Sequence, residues 1–203
     1  MLSFVESSDI PGLSMSTKTV IAQFNQLIAP LGFVRRKTTW NRESGSLVDV
    51  IDIQVSKAGD AVTANVGILD RCIHEIFWGD RSPEFVEEPH CTVRARIGDL
   101  VAGKDIWWQL NDSRCVADLV EKISSHGLPF LERTHTAEAI ELHLTDVRVP
   151  KRKYPPDIIN LAILRFGRGD KIGACTLLIE LQKSNIGAWR GRVGEIIERL
   201  GCS

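Results

Sequence analysis

The sequence predicts an α+β protein: an antiparallel sheet of about four strands, an N-terminal helix packed on it, and a C-terminal helical hairpin plus one further helix. Three observations carry this prediction. Apolar residues between positions 20 and 31 recur at helical spacing, those between 61 and 69 recur at a period of two, and after residue 155 the helical period returns. Only short turns separate the neighbouring strands, which implies antiparallel pairing, because a parallel neighbour needs a crossover of about a dozen residues.

The first helix rests on Val20, Ile21, Phe24, Leu27, Ile28 and Leu31, which form one stripe at 3.6-residue spacing. Ser16 or Thr17 supplies its N-cap, and Pro30 with Gly32 ends it. Residues 33–42 read as one extended, basic strand, and 43–46 as a turn. Residues 47–56 are rich in Val and Ile, and 57–60 turn the chain back. Over 61–69, Val62, Ala64, Val66 and Ile68 share one face, with Thr63 and Asn65 on the other. Residues 70–91 read as a long, partly exposed loop, interrupted by Gly79, Pro83 and Pro89 and charged at Glu84, Glu87 and Glu88.

A fourth strand spans 91–98, with Val93, Ala95 and Ile97 facing one way and Arg94 and Arg96 the other. A loop bearing Trp107 and Trp108 leads to a helix that starts at Asp112 or Ser113, buries Val116, Leu119, Val120 and Ile123, and stops at Gly127 and Pro129. Within 130–149, Ala137, Ile140 and Leu144 fit a short helix. The strand alternative through Leu142, Leu144, Val147 and Val149 is the weaker pattern. Residues 151–156 read as a linker. Beyond it come a helix opened by Pro155 and Pro156 (Ile159, Ala162, Ile163, Phe166), a second with Ile172, Cys175 and Ile179, and a third capped by Ser184 or Asn185 with Ile186, Trp189, Val193, Ile196 and Leu200. The first two resemble one tetratricopeptide-like pair, but a solenoid needs about three repeats to bury its core. The expected organisation is an arm over 1–16, an α+β domain over 17–149, and a helical section over 155–203 packed on that domain.

Composition excludes several function classes. The 203 residues carry 25 basic and 26 acidic side chains, a formal net charge of -1, so nothing global draws the chain to nucleic acid or to an anionic membrane. The basic triplets at 35–37 and 151–153 are short and read as solvated edges. No apolar run approaches the roughly 18 residues of a membrane span. Cys72, Cys91, Cys115, Cys175 and Cys202 are odd in number and form no CxxC, and the first 16 residues have no basic start. The expectation is five reduced thiols and a cytoplasmic location.

The order of these features carries a family resemblance. A helix, Leu31-Gly32-Phe33, a basic strand, a meander, the alternating arginines before Gly98, Trp107-Trp108, a further helix and Gly127-Leu128-Pro129-Phe130-Leu131 follow one another. This arrangement resembles the bacterial domain-of-unknown-function family 4304 over residues 18–133. The resemblance implies the α+β fold and a bacterial origin, brings no catalytic residue, and leads toward an immunity-like role in toxin systems.

The catalytic and metal-binding patterns are weak. Cys72, His74, His90 and Cys91 offer zinc donors, but adjacent residues on an extended chain point in opposite directions and the spacings match no common zinc pattern. A Cys91 thiol with His90 as its base meets the same geometric objection. Asp49 and Asp52, three apart, leave opposite faces of a strand. Gly167-Arg168-Gly169-Asp170 lacks a phosphate-loop pattern, and Arg190 and Arg192 beside Trp189 read as a snorkelling helix face. No catalytic residue, metal ligand or cofactor is therefore assigned.

The candidate binding surface gathers Trp40, Arg42, Arg94, Arg96, Trp107 and Trp108, residue types that concentrate binding energy, on the sheet face that helices leave open. The expected function is a non-enzymatic protein-binding module, immunity-like, whose partner is another protein. Its alternatives are a small hydrolase or nuclease using Asp49, Asp52 or His90, and a structural protein that forms a homodimer through a sheet edge.

Overall fold

An antiparallel sheet is the frame of the molecule, and its strands lie side by side in chain order. The computed structural model describes residues 16–146 and 154–202. The strands β1 (Val34–Arg36), β2 (Thr39–Ser44), β3 (Leu47–Val55), β4 (Ala61–Asp70) and β5 (Val93–Arg96) pair successively, and a two-residue strand, β6 (Trp108–Gln109), joins β4 beyond the end of β5. The single strand expected over 33–42 is a tight hairpin. Lys37 takes a left-handed backbone (φ 54°) and folds β1 onto β2. The glycine or asparagine that usually announces such a turn is absent, so the sequence hid it.

Val62, Ala64, Val66 and Ile68 of β4 face the helices, together with Trp40, Ile51, Ile53 and Val93. Helix α1 (Thr17–Ile28) is capped by the Ser16 hydroxyl, which accepts from the Thr19 amide, and it buries Val20, Phe24 and Ile28 against this face. Its apolar stripe is narrower than expected, because Leu27 and Leu31 are exposed. Phe24 meets Trp40 edge to face at 4.8 Å. Full burial of one such ring stabilises by roughly 1.5–3 kcal/mol.

The stretch expected as a loop over 70–91 begins with a helix, α2 (Arg71–Trp78). The Asp70 carboxylate accepts from the amides of Cys72 and Ile73, Gly79 ends the helix in a left-handed conformation, and Ile73, His74 and Phe77 are buried. The strand expected over 91–98 is also shorter, since Ile97 opens helix α3 (Ile97–Ala102). Helix α4 (Cys115–Lys122) does not stop at Gly127. The chain runs through one wide turn, Ile123–Gly127, into α5 (Leu128–Arg133), and Pro129, which has no N–H for the helical ladder, directly follows that wide turn.

Helix α6 (Ala137–Thr145) is the expected short helix. Val147, Val149, the 151–153 part of the linker and residues 1–15 of the arm lie outside the described residues. Helices α7 (Pro155–Gly167), α8 (Lys171–Lys183) and α9 (Trp189–Leu200) follow. Ile159, Ala162 and Ile163 belong to the same apolar cluster as the sheet, and Asn160 Nδ2 donates to the Thr92 carbonyl. The α8 stripe is not the one expected: Ile172 is 84% exposed, and Ala174, Leu178 and Leu181 are buried instead. Cys175 and Cys202 form a disulfide, which corrects the expectation of five reduced thiols. Gly201, at φ 65°, ends α9 and brings residue 202 back to the flank of α8. A pairing across 27 positions leaves no local signal. Among the described residues, no helix is long and apolar enough to cross a membrane.

Candidate binding groove

The sheet face turned away from α1 is divided in two. One half is covered: Val86 and Cys91, from the segment after α2, pack on Val48, Val50 and Leu69. Asn41 pins that segment, accepting from the Val86 amide at 2.6 Å and donating to its carbonyl at 3.0 Å. The other half is a polar row set by strand register. Thr39 lies opposite Asp52, Asp52 opposite Asn65, and Asn65 opposite Arg96.

This row floors an open groove with two basins of about 570 Å³ each. Arg36, Phe85 and Glu87 border one, Arg94, Arg96 and Tyr154 the other, and Gln54, Asn65 and Glu88 are common to both. The second basin follows β5 along its outer edge to His143 and Leu144 of α6.

Two carboxyl groups in the groove are held at a cost. Burial pushes the Asp52 pKa above its ordinary value, only partly opposed by hydrogen bonds from Thr39 (2.7 Å) and Thr38 (3.4 Å), and nearby Glu87 pushes it further. Burial likewise raises Glu88, against the pull of Arg94, whose Nη1 stands 3.4 Å away, and the charge of Asp52 adds to the rise. Arg96 is more firmly held. It donates to Asp105 at 2.8 Å, Gln54 at 2.8 Å and Asn65 at 3.3 Å, and stacks over Trp107 at 5.5 Å.

The six surface candidates do not form one patch. Arg94 and Arg96 line the groove, and Trp107 sits beside it on Arg96. Trp108 is half-buried on β6, packed on the core. Trp40 is 0% exposed and donates to Asn25 Oδ1 at 2.9 Å, so it belongs to the core. Arg42 points to the same inner side, directly opposite Asp49. Even-numbered residues face inward on β2 and outward on β5, a relation that register decides and no single strand reveals. Asp52, Gln54, Asn65 and Glu88 were not among the candidates for this surface. The alternation along β4, which sets Asn65 opposite the aliphatic face, was the available signal.

Asp49 and Asp52 do leave opposite faces of β3. Asp49 is fully buried: Arg42 donates to its Oδ2 through Nε (2.9 Å) and Nη2 (2.8 Å), and His135 Nε2 lies 2.7 Å from its Oδ1. This clamp ties the α5–α6 connection to the sheet. Cys72 is exposed and Cys91 is buried. Burial pushes the Cys91 thiol well up, so it is no thiolate. His90 stands against His74, with ring centroids 6.2 Å apart. Among the described residues, no group of three or more His, Cys, Asp or Glu side chains is placed to hold a metal ion.

A family model described as Domain of unknown function (DUF4304) matches residues 24–133, more than half of the chain. The matched stretch contains the whole sheet and the groove floor. No curated protein and no solved structure matches the chain.

Proposed function

This chain belongs to the family of unknown function DUF4304, and on the groove's chemistry we propose that it is a protein-binding module that takes a basic segment of a partner protein. One observation carries the reading: Asp52 and Glu88 sit half out of water in an open groove, where burial disfavours their charged forms. Asp52 meets hydroxyl groups, and Glu88 pairs with Arg94 at 3.4 Å. A lysine or arginine side chain entering between them would give Asp52 a counter-charge, add to that of Arg94 at Glu88, and favour ionisation of both. The outer edge of β5, on which no other strand pairs among the described residues, offers the partner backbone a course along the groove. In its narrower, immunity-like form, the partner is a bacterial toxin whose basic surface the groove covers.

Display of random peptides against the full chain, followed by fluorescence anisotropy of those selected, tests the reading. Enrichment of Lys- or Arg-bearing peptides, with binding lost in Asp52→Asn/Glu88→Gln, is the expected result. Because a bound cation lowers both carboxyl pKa values, affinity should rise with pH through the range where these groups titrate. Selection of acidic or apolar peptides, or affinity indifferent to the double substitution, would overturn it.

A further inference from the structure

The sheet is also open at its opposite edge. β1 is the first strand, and among the described residues no strand pairs with it on the side away from β2. Alternate residues of an antiparallel strand turn their N–H and C=O toward the edge, so at least one of Val34, Arg35 and Arg36 offers both to an incoming backbone. All three side chains are exposed.

Apolar side chains gather at this edge. Among the described residues, six large ones are exposed, and three of them, Leu27, Leu31 and Val34, fall between positions 27 and 34. Leu27 and Leu31 stand about one helical turn apart, and Leu31 precedes Val34 by three residues. Cations accompany them. Residues 16–42 include Lys18, Arg35, Arg36, Lys37 and Arg42 but no Asp or Glu. Arg42 is committed to Asp49, and Arg36 stacks over Phe85 at 4.8 Å. Arg35 and Lys37 are exposed and form no ion pair among the described residues, although Glu87 shares a basin with Lys37. Register distributes these groups over both faces. Arg35, opposite Trp40, lies on the helix side; Val34, opposite Asn41, and Arg36, opposite Thr39, lie on the groove side.

These features select an occupant. A second copy is disfavoured, because antiparallel pairing of β1 with itself about Arg35 sets the two arginines opposite each other, and like charges so placed destabilise a sheet. A lipid surface offers the edge no backbone ladder, and a nucleic acid leaves the aliphatic side chains unmatched. An extended peptide with carboxylates meets the open backbone, the apolar side chains and the unpaired cations together. We propose that the β1 edge binds an extended acidic segment of a partner protein, which adds to the sheet as a further strand beside Val34, Arg35 and Arg36. The inference goes beyond the groove reading and does not rest on it, since the groove takes a basic segment and this edge an acidic one.

The probe is a fluorescein-labelled peptide of about ten residues, alternating glutamate and valine to match a strand period of two and blocked at both ends. Titrated with the full chain and followed by anisotropy, it should bind saturably and more weakly as salt is added. Arg35→Glu/Lys37→Glu, checked for fold by circular dichroism, should weaken binding about tenfold through the loss of two exposed charge pairs. The same peptide N-methylated throughout keeps its charge but has no N–H to donate, and should not bind. Equal binding of the N-methylated peptide, indifference to the double substitution, or no saturable binding overturns the proposal and leaves the cations as guards against edge aggregation. Tighter binding of oligothymidylate or of phosphatidylserine vesicles than of the peptide overturns it as well, as does a dimer in solution that Val34→Asp abolishes. If basic peptides bind and the glutamate–valine peptide does not, the edge proposal fails and the groove reading stands; the reverse result sinks the groove reading alone.

Discussion

Arg42 is the partner on which the buried charge of Asp49 depends, and its removal gives the sharpest test of how the sheet is held. Asp49 is 0% exposed, and its Oδ2 receives both hydrogen bonds from Arg42. In Arg42→Ala that oxygen faces the apolar interior with no donor, and only His135 remains, on Oδ1. Removing one partner of a buried ion pair costs about 3–5 kcal/mol. The opening left at Arg42, itself 24% exposed as a side chain, admits some water and sets the cost toward the lower end. The lost stacking of Arg42 on Phe33, at 4.7 Å, adds a smaller amount. For a chain of this length, a loss of 3 kcal/mol lowers the melting temperature by roughly 6–12 °C. Urea unfolding of the wild type, Arg42→Ala and the apolar replacement Arg42→Met/Asp49→Leu measures it. The double variant should recover most of the loss, because it leaves no charge to solvate. A cost below about 1 kcal/mol for Arg42→Ala, or a double variant no better than the single, would refute the reasoning.

Asp52→Asn and Glu88→Gln should stabilise the free protein at neutral pH while abolishing peptide binding. The folded pKa of each acid is raised by burial, so its favourable contribution is complete below the ordinary values of 3.8 and 4.5 and is lost as pH rises through the raised values. The variants' advantage in chemical unfolding should therefore shrink on acidification, and an advantage independent of pH would contradict the assignment. Gly67→Ala should cost about 1–3 kcal/mol or more, since its Cβ would stand 2.8 Å from Cys91 Sγ and 2.9 Å from the Val93 carbonyl; a neutral effect in urea would show that β5 yields easily. Reduction of Cys175–Cys202 should lower stability by about 2–4 kcal/mol, measured by unfolding with and without dithiothreitol. In the native oxidised protein a thiol reagent should label Cys72 alone and fast, because Cys91 and Cys115 are buried, the latter with its pKa raised to about 11 by that burial; rapid labelling of three thiols would contradict this.

Much of the fold was legible because local chemistry specified it. Ser16 caps α1, Val62 to Ile68 alternate on β4, and Pro155 opens α7, each by rules that act within a few residues. Helix α2 was missed although Asp70, Ile73, Phe77 and Gly79 are its cap, its stripe and its stop, because the prolines and glutamates that follow made the whole stretch read as loop. The site was legible only in part. Arg94 and Arg96 were found from alternation, but Trp40 and Arg42, grouped with them by residue type, face the other side of the sheet.

What the sequence determined by itself is the alternation within a strand, such as Val62, Ala64, Val66 and Ile68 against Thr63 and Asn65 on β4, because that follows from the backbone period of one element. What only tertiary structure decided is which outward residues meet. The row Thr39, Asp52, Asn65 and Arg96 is created by register between four strands, and the clamp of Arg42 and His135 on Asp49 joins residues 7 and 86 positions away from it. Those meetings depend on how far one element slides along another. That distance is settled by packing of the whole core and leaves no trace in any short stretch of chain.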